Sequence, residues 1–285
     1  MPWQYEAVVR SWLGAQVRDR VVGPDSDTRR AVLLSHDEIG WFEPGSPIMR
    51  VHGDASMFIG GLRALLLQSL HPLAMAGVAQ HSDYRSDPWG RLQRTADFIA
   101  ATTFGPATEA ERAIEVVRRV HAHVVGVADD GRPYAANDPH LLRWVHLAEL
   151  DSFLVAHDHY GTDPLRGPDR DEYVAQSGVI ARALGVPAPP VTERGLRDQL
   201  RSFRHELQST PAARDAARYL LIQPPLPLAA RPAYGLIAAA AVALMPAWSR
   251  LPLRLPWFPV AEAVAVRPAG AAVTRTIRWA ISPTP

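Results

Sequence analysis

Cysteine and lysine are both missing from this sequence: all 30 basic residues among its 285 are arginine. The first absence removes disulfides, thiolate metal sites, iron–sulfur clusters and cysteine nucleophiles, and leaves the redox compartment open. The second excludes Schiff-base chemistry and lysine ligation. Charge of one sign is lacking as well, since 30 basic residues face 29 acidic ones for a net charge of +1. No long-range field gathers polyanions, so nucleic acid is not an expected partner. Chemistry is left to His, Tyr, Arg and the carboxylates.

Long hydrophobic runs are scarce too. The first residues, MPWQYEAVVRSWLGAQVRDRVVG, scatter charges along the segment and contain no uninterrupted apolar core, which reads as a cytoplasmic protein without a targeting signal. The longest apolar run, Pro232 to Trp248, falls short of the ~20 residues that span a bilayer and carries Pro246 near its end, so a buried helix is expected there. There is no H-E-x-x-H, no Gly-rich phosphate loop and no G-x-S-x-G elbow. GGLRALLL has neither the spacing nor the preceding strand of a dinucleotide fingerprint. Strand signals are few, with no Asn-Gly or Asp-Gly hairpin turn expected between apolar segments.

What the sequence does hold is helical periodicity in block after block, which predicts an all-α fold: a single-domain multi-helix bundle over residues 1–285. Asp54 precedes ASMFIGGLRALLLQSLHPLAMAGV, apolar on all sides except at Arg63, Gln68 and His71, and therefore a central helix that Pro72 kinks or restarts. Asp87-Pro88 opens a second helix to about Thr103, and Thr108 caps a third that ends at Gly126. DDGRPYAAND is a turn-rich loop, after which Asp138-Pro139 starts a helix ending at Gly161. Further helices are expected at 169–185, 192–207 and 211–221, with Pro-rich connections at 186–190 and 223–232.

Polar side chains within apolar helices mark the candidate site, because burying each without a partner costs about 1–3 kcal/mol. They are Gln68, His71, His81, Arg91, Arg94, Thr95, His121, Tyr134 and His146. Arg91, Arg94 and Thr95 stand at i, i+3 and i+4 and share a helix face, which suits an anion or a propionate-bearing cofactor. The same triple also reads as a solvated arginine face. His121 sits among valines and aims inward, whereas His123 points elsewhere; His146 is likewise on an apolar face. Singly, each is a core histidine as readily as a ligand, but together, facing the Arg-Thr helix, they suggest a cofactor held between helices. His81-Ser82-Asp83 and His157-Asp158-His159 are weaker metal motifs.

The segments GGLRALLLQSLHPLAMAGVAQHSDYRSDPWGRLQRT, FG, RRVHAHVVG, PYAANDPHLLRWVH and DSF resemble the core of the MpaB-like and latex-clearing-protein oxygenases, over about residues 45–250. That resemblance implies haem b as cofactor, dioxygen as co-substrate, an apolar small molecule as substrate and oxidative cleavage of a carbon–carbon double bond. It implies His121 as the iron ligand, with His146 as the alternative, and Arg91, Arg94, Thr95 and His71 around the haem. Latex-clearing proteins carry Arg-x-x-Lys-Thr, their lysine being a distal iron ligand, where this chain has Arg94 in RLQRT. A guanidinium has no free lone pair at neutral pH, so the sixth iron position is expected to be open, filled by water, or taken by a second histidine. The broader category, a haem-dependent oxidoreductase, is what carries over. A different class stays open: a non-enzymatic helical binding or membrane-surface module, with LPLRLPWFP and Leu236–Met245 in peripheral membrane contact and structural His and Arg residues. No motif encodes the oligomeric state.

Overall fold

In the computed structural model, which describes residues 38–82 and 85–282, helices begin where a proline stands in the first turn behind a residue that can cap it. Asp87 accepts a hydrogen bond from the Gly90 amide (2.9 Å), and Asp138 accepts one from the His140 amide (2.8 Å). The elements are α1 (Pro47–His52), α2 (Met57–Gln68), α3 (Pro72–His81), α4 (Pro88–Phe104), α5 (Ala107–His123), a hairpin of β1 (Val125–Val127) and β2 (Pro133–Ala135), α6 (Pro139–Tyr160), α7 (Pro168–Leu184), α8 (Glu193–Ser202) and α9 (Pro211–Ile222). Then come α10 (Arg231–Ala243), α11 (Ala247–Arg250) and α12 (Pro259–Ala261), the last continuing through a π turn at Glu262–Val266 into α13 (Arg267–Ile281). The architecture is all-α with one two-stranded ribbon.

The most extensive packing is between α2 and α6, antiparallel centres of a core that includes Leu66, Leu67, Trp144, Leu147 and Leu150. Their apolar surfaces meet around one polar clamp. Arg63, buried on α2, donates from Nη2 to Asp151 (2.7 Å), from Nη1 to Ser152 Oγ (2.6 Å) and from Nε to the Leu244 carbonyl (2.9 Å). A buried guanidinium is tolerated when it is this fully paired. α10 covers the far side of α2 and α13 packs on α10 and α6, while α1, α4, α5 and α7 form the flank of interest for function. At Pro72 the chain restarts rather than kinks: α2 and α3 meet at 107°.

Four expectations change in detail. α5 begins at Ala107 behind Pro106, and Thr108 lies within its first turn with its hydroxyl on Glu38 (2.7 Å). It ends at His123, because Val125–Val127 leaves the helix to pair with Pro133–Ala135; Gly126 is a strand residue, where a Cβ would lie 2.5 Å from the Tyr134 hydroxyl. The expected absence of an Asp-Gly turn is thus corrected. Asp130-Gly131 sits inside a loop closed by Ala128 N–H to the Arg132 carbonyl (2.9 Å), with Gly131 at φ +83°. The connection expected to run to 232 ends earlier, Arg231 being already helical. No single helix among the described residues is long and apolar enough to cross a membrane; α2 and α3 pass such a test only together, across their bend. The segment read as lacking a targeting signal, and Asp83 of the His81 motif, lie outside the described residues.

Candidate active site

α6 carries two separate sets of polar residues. At ~100° per residue, His140, Trp144, Leu147 and Asp151 fall on one side, and His146, Glu149 and Phe153 fall roughly opposite. The first side packs on α2. The second faces α1, α4, α5 and α7. Those four helices pack on one another, α4 on α5, α5 on α7 and α1 on α4 and α7, yet neither α4 nor α5 packs extensively on α6. This loosely packed zone between α6 and the α4–α5 pair is the candidate crevice.

The crevice walls have unusual electrostatics. His146 Nε2 is buried with no hydrogen-bond partner among the described residues, and burial, helped by the Arg182 charge, lowers its pKa to about 4. One turn on, burial raises Glu149 to about 7, against the opposing pull of Arg91 on α4. His52, at the end of α1, is hydrogen-bonded through Nδ1 to Thr103 Oγ1 (2.8 Å) and lowered to about 3 by burial. Its ring meets Phe153 edge-on at 5.6 Å and Tyr173 at 6.0 Å. Tyr173 is fully buried with a hydroxyl that has no partner among the described residues. His146, Glu149 and His52 nonetheless keep some accessible surface. This arrangement offers neutral imidazoles as electron-pair donors and a carboxyl that exchanges its proton near neutrality.

The sequence-derived candidates distribute unevenly. His121, on the last turn of α5, is partly buried, burial lowers its pKa, and no described residue hydrogen-bonds its imidazole. His123 is exposed and donates from Nδ1 to the Arg119 carbonyl (2.7 Å). Arg91 is half-buried, donates to Ser82 Oγ (2.7 Å) and reaches Glu149 electrostatically. Arg94 and Thr95, on the same face of α4 as Arg91, are exposed: Arg94 pairs with Asp87 (3.2 Å) and the Thr95 hydroxyl donates to the Arg91 carbonyl. His71 is buried at the corner between α2 and α3, on the side of α6 away from His146, beside Trp144. Tyr134 donates to Gln80 (2.6 Å), and His81 is exposed.

Glu149, His52 and Tyr173 are absent from the sequence-derived set. Glu149 was visible as an acid three residues after His146 in VHLAEL, one turn along the same face. Nothing local marks His52. The His157-Asp158-His159 motif disperses: His157 is buried, Asp158 pairs with Arg170 (2.6 Å), and His159 donates to the Val155 carbonyl.

A sequence-family model described as ER-bound oxygenase mpaB/B'/rubber oxygenase, catalytic domain, matches residues 49–279. That span runs from α1 through α13 and includes every wall of the crevice. No curated protein and no solved structure matches the chain. With a crevice of neutral imidazoles and a near-neutral carboxyl inside the matched region, the chain belongs to the mpaB/rubber oxygenase catalytic-domain family.

Proposed function

We propose that this chain is a haem b-dependent oxygenase that uses dioxygen on an apolar small molecule, with oxidative cleavage of a carbon–carbon double bond as its reaction. The observation that carries the reading is the pair of imidazoles, His121 on α5 and His146 on α6: no described residue hydrogen-bonds the His121 ring or His146 Nε2. The buried His146 Nε2 needs a partner, and a metal-bearing planar cofactor between helices would supply one. With no cysteine, such a haem is held without thioether bonds. Haem, when bound, supplies the redox chemistry of dioxygen.

His121 would hold the haem iron, with His146 as second donor or alternative. Arg91 is placed against the cofactor's carboxylates or as a polar donor at the crevice, and Arg94 and Thr95 at its exposed rim. Glu149 holds a proton at its carboxyl oxygen near neutral pH and serves as the acid or base of the site. Phe153 and its apolar neighbours keep water out and accept an apolar substrate.

Protein produced with a haem supply is expected to carry about one haem b per chain in a pyridine haemochrome assay, and to consume dioxygen with an isoprenoid alkene. Another metal in place of haem would sink the reading.

Peripheral membrane contact has its own support. Leu251, Trp257, Phe258, Val260 and Val264 are all exposed on the loop and helix after α11. Co-sedimentation with phosphatidylcholine vesicles that drops in Trp257→Ser/Phe258→Ser is expected. Equal sedimentation of both proteins removes the contact, and sedimentation without haem favours a non-enzymatic module.

A further inference from the structure

On the other side of α6 the structure gathers a second set of donors that the crevice does not use. His71 lies between α2 and α3, His140 in the first turn of α6, and Glu206 just after the 3₁₀ turn Phe203–His205. We propose that His71, His140 and Glu206 form a binding site for a divalent transition-metal ion of the zinc class, separate from the crevice and clamping three distant parts of the chain.

Geometry carries the argument. His140 Nε2 stands 2.8 Å from Glu206 Oε2, and His71 Nε2 stands 3.4 Å from the same oxygen. The three ligand atoms all lie within 4.8 Å of one another. Zinc bonds of ~2.0–2.1 Å in a tetrahedron place ligand atoms about 3.3 Å apart, so small side-chain adjustments admit an ion. Both imidazoles direct Nε2, not Nδ1, at one carboxylate, as ligands converging on a common centre do.

The hydrogen-bond accounting points the same way. His71 is only 2% exposed, its Nδ1 has no partner, and its single contact, at 3.4 Å, is longer than an ordinary N–H···O bond of 2.7–3.2 Å. Whichever tautomer is present, the buried Nε2 is held only by this long contact, and a closer partner at that atom stabilises it. A metal ion at Nε2 is such a partner.

The rings are also held in place. His140 stacks on Phe203 (4.5 Å between centroids), and His71 packs between Trp144 and Phe203 at 6.3 Å from each. Trp144 is itself fixed by its indole N–H on the Gln68 carbonyl (3.0 Å). The Gln208 amide ties the strand after Glu206 to the Leu70 carbonyl (2.9 Å). His205, exposed, reaches within 3.8 Å of Glu206 and can offer a fourth donor where water otherwise sits. Access exists from solvent along His140, which is 48% exposed in its side chain. Two imidazoles and one carboxylate suit zinc, and zinc also competes well at sites of this type that hold iron or cobalt.

The test uses the full chain in its haem-supplied form, stripped of loosely held ions and dialysed against buffered Zn2+, with zinc counted by elemental analysis and haem by its Soret band. One zinc per chain and a raised thermal midpoint are expected. His140→Ala and Glu206→Gln should each weaken zinc retention by at least about tenfold, the lower end of what even outer-shell substitutions cost. Both should leave the haem content and the zinc-free midpoint near wild type, and exposed His123→Ala should leave zinc untouched. Zinc held equally by wild type, His140→Ala and Glu206→Gln, or a wild-type midpoint indifferent to zinc, overturns the site. Zinc counting does not depend on haem, so failure of the oxygenase reading and failure of this site are distinguishable.

Discussion

Alanine at position 121 is expected to lower haem retention by at least about tenfold, on the scale at which metal sites respond to loss of a ligand or its support, while alanine at 123 leaves it unchanged. The two residues lie on the same last turn of α5 but ~200° apart, so they meet different surroundings. Burial holds His121 neutral at physiological pH, leaving a lone pair ready for a metal. The His123 ring, by contrast, spends its Nδ1–H on its own helix and stays in solvent. Because no described residue hydrogen-bonds the His121 ring, its replacement should barely alter the thermal midpoint of the haem-free protein, which separates a ligand from a structural histidine. Difference spectra and haem-to-protein ratios of the two variants decide it. Loss of haem in His146→Ala with retention in His121→Ala would transfer the ligand role to α6. Full retention in both would remove these two imidazoles from the cofactor shell.

The contrast between these histidines shows what the sequence could convey. His121 is aimed inward by falling at i+4 and i+7 from Val117 and Ile114, whereas the adjacent Val120 is exposed, and Asp138-Pro139 is enough to start α6. The hairpin after α5 was illegible for a related reason. Its strands are three residues each, too short for alternation to show, and its Asp-Gly pair is embedded in a loop closed by long-range main-chain bonds. Arg91, Arg94 and Thr95 were correctly read as helix neighbours, but periodicity could not say that α4 lies at the edge of the bundle, where Arg91 is partly covered and the other two meet solvent. Glu206 brings together residues 66 and 135 positions away, a convergence made by the α2–α3 corner and the 3₁₀ turn and by no local pattern. Glu149 was overlooked since a glutamate on a helix is ordinarily a surface residue, and only its neighbours reveal the burial.

Those neighbours also set a pH dependence. Unfolded, a glutamate releases its proton near pH 4.5, whereas Glu149 in the fold releases it near 7. Between these values the folded state binds the extra proton, so this residue makes stability fall as pH rises, by about 3 kcal/mol in all at 1.36 kcal/mol per unit. His146 and His52 act in the opposite sense. Their pKa values drop from 6.5 to about 4 and about 3, so their contribution is fully present above pH 6.5 and is lost as the pH falls toward those values. Over the interval from about pH 5 to 6.5 the carboxyl thus offsets one of the two histidines. In Glu149→Gln that offset disappears. The plot of unfolding free energy against pH, taken from urea titrations of the haem-free chain, should steepen over this interval by about 1.4 kcal/mol per pH unit relative to wild type. The comparison of slopes is independent of how well the glutamine amide is accommodated, since that cost does not vary with pH. Parallel curves for the two proteins would mean that Glu149 ionises normally, and the crevice would then lack a group able to give and take a proton near neutrality.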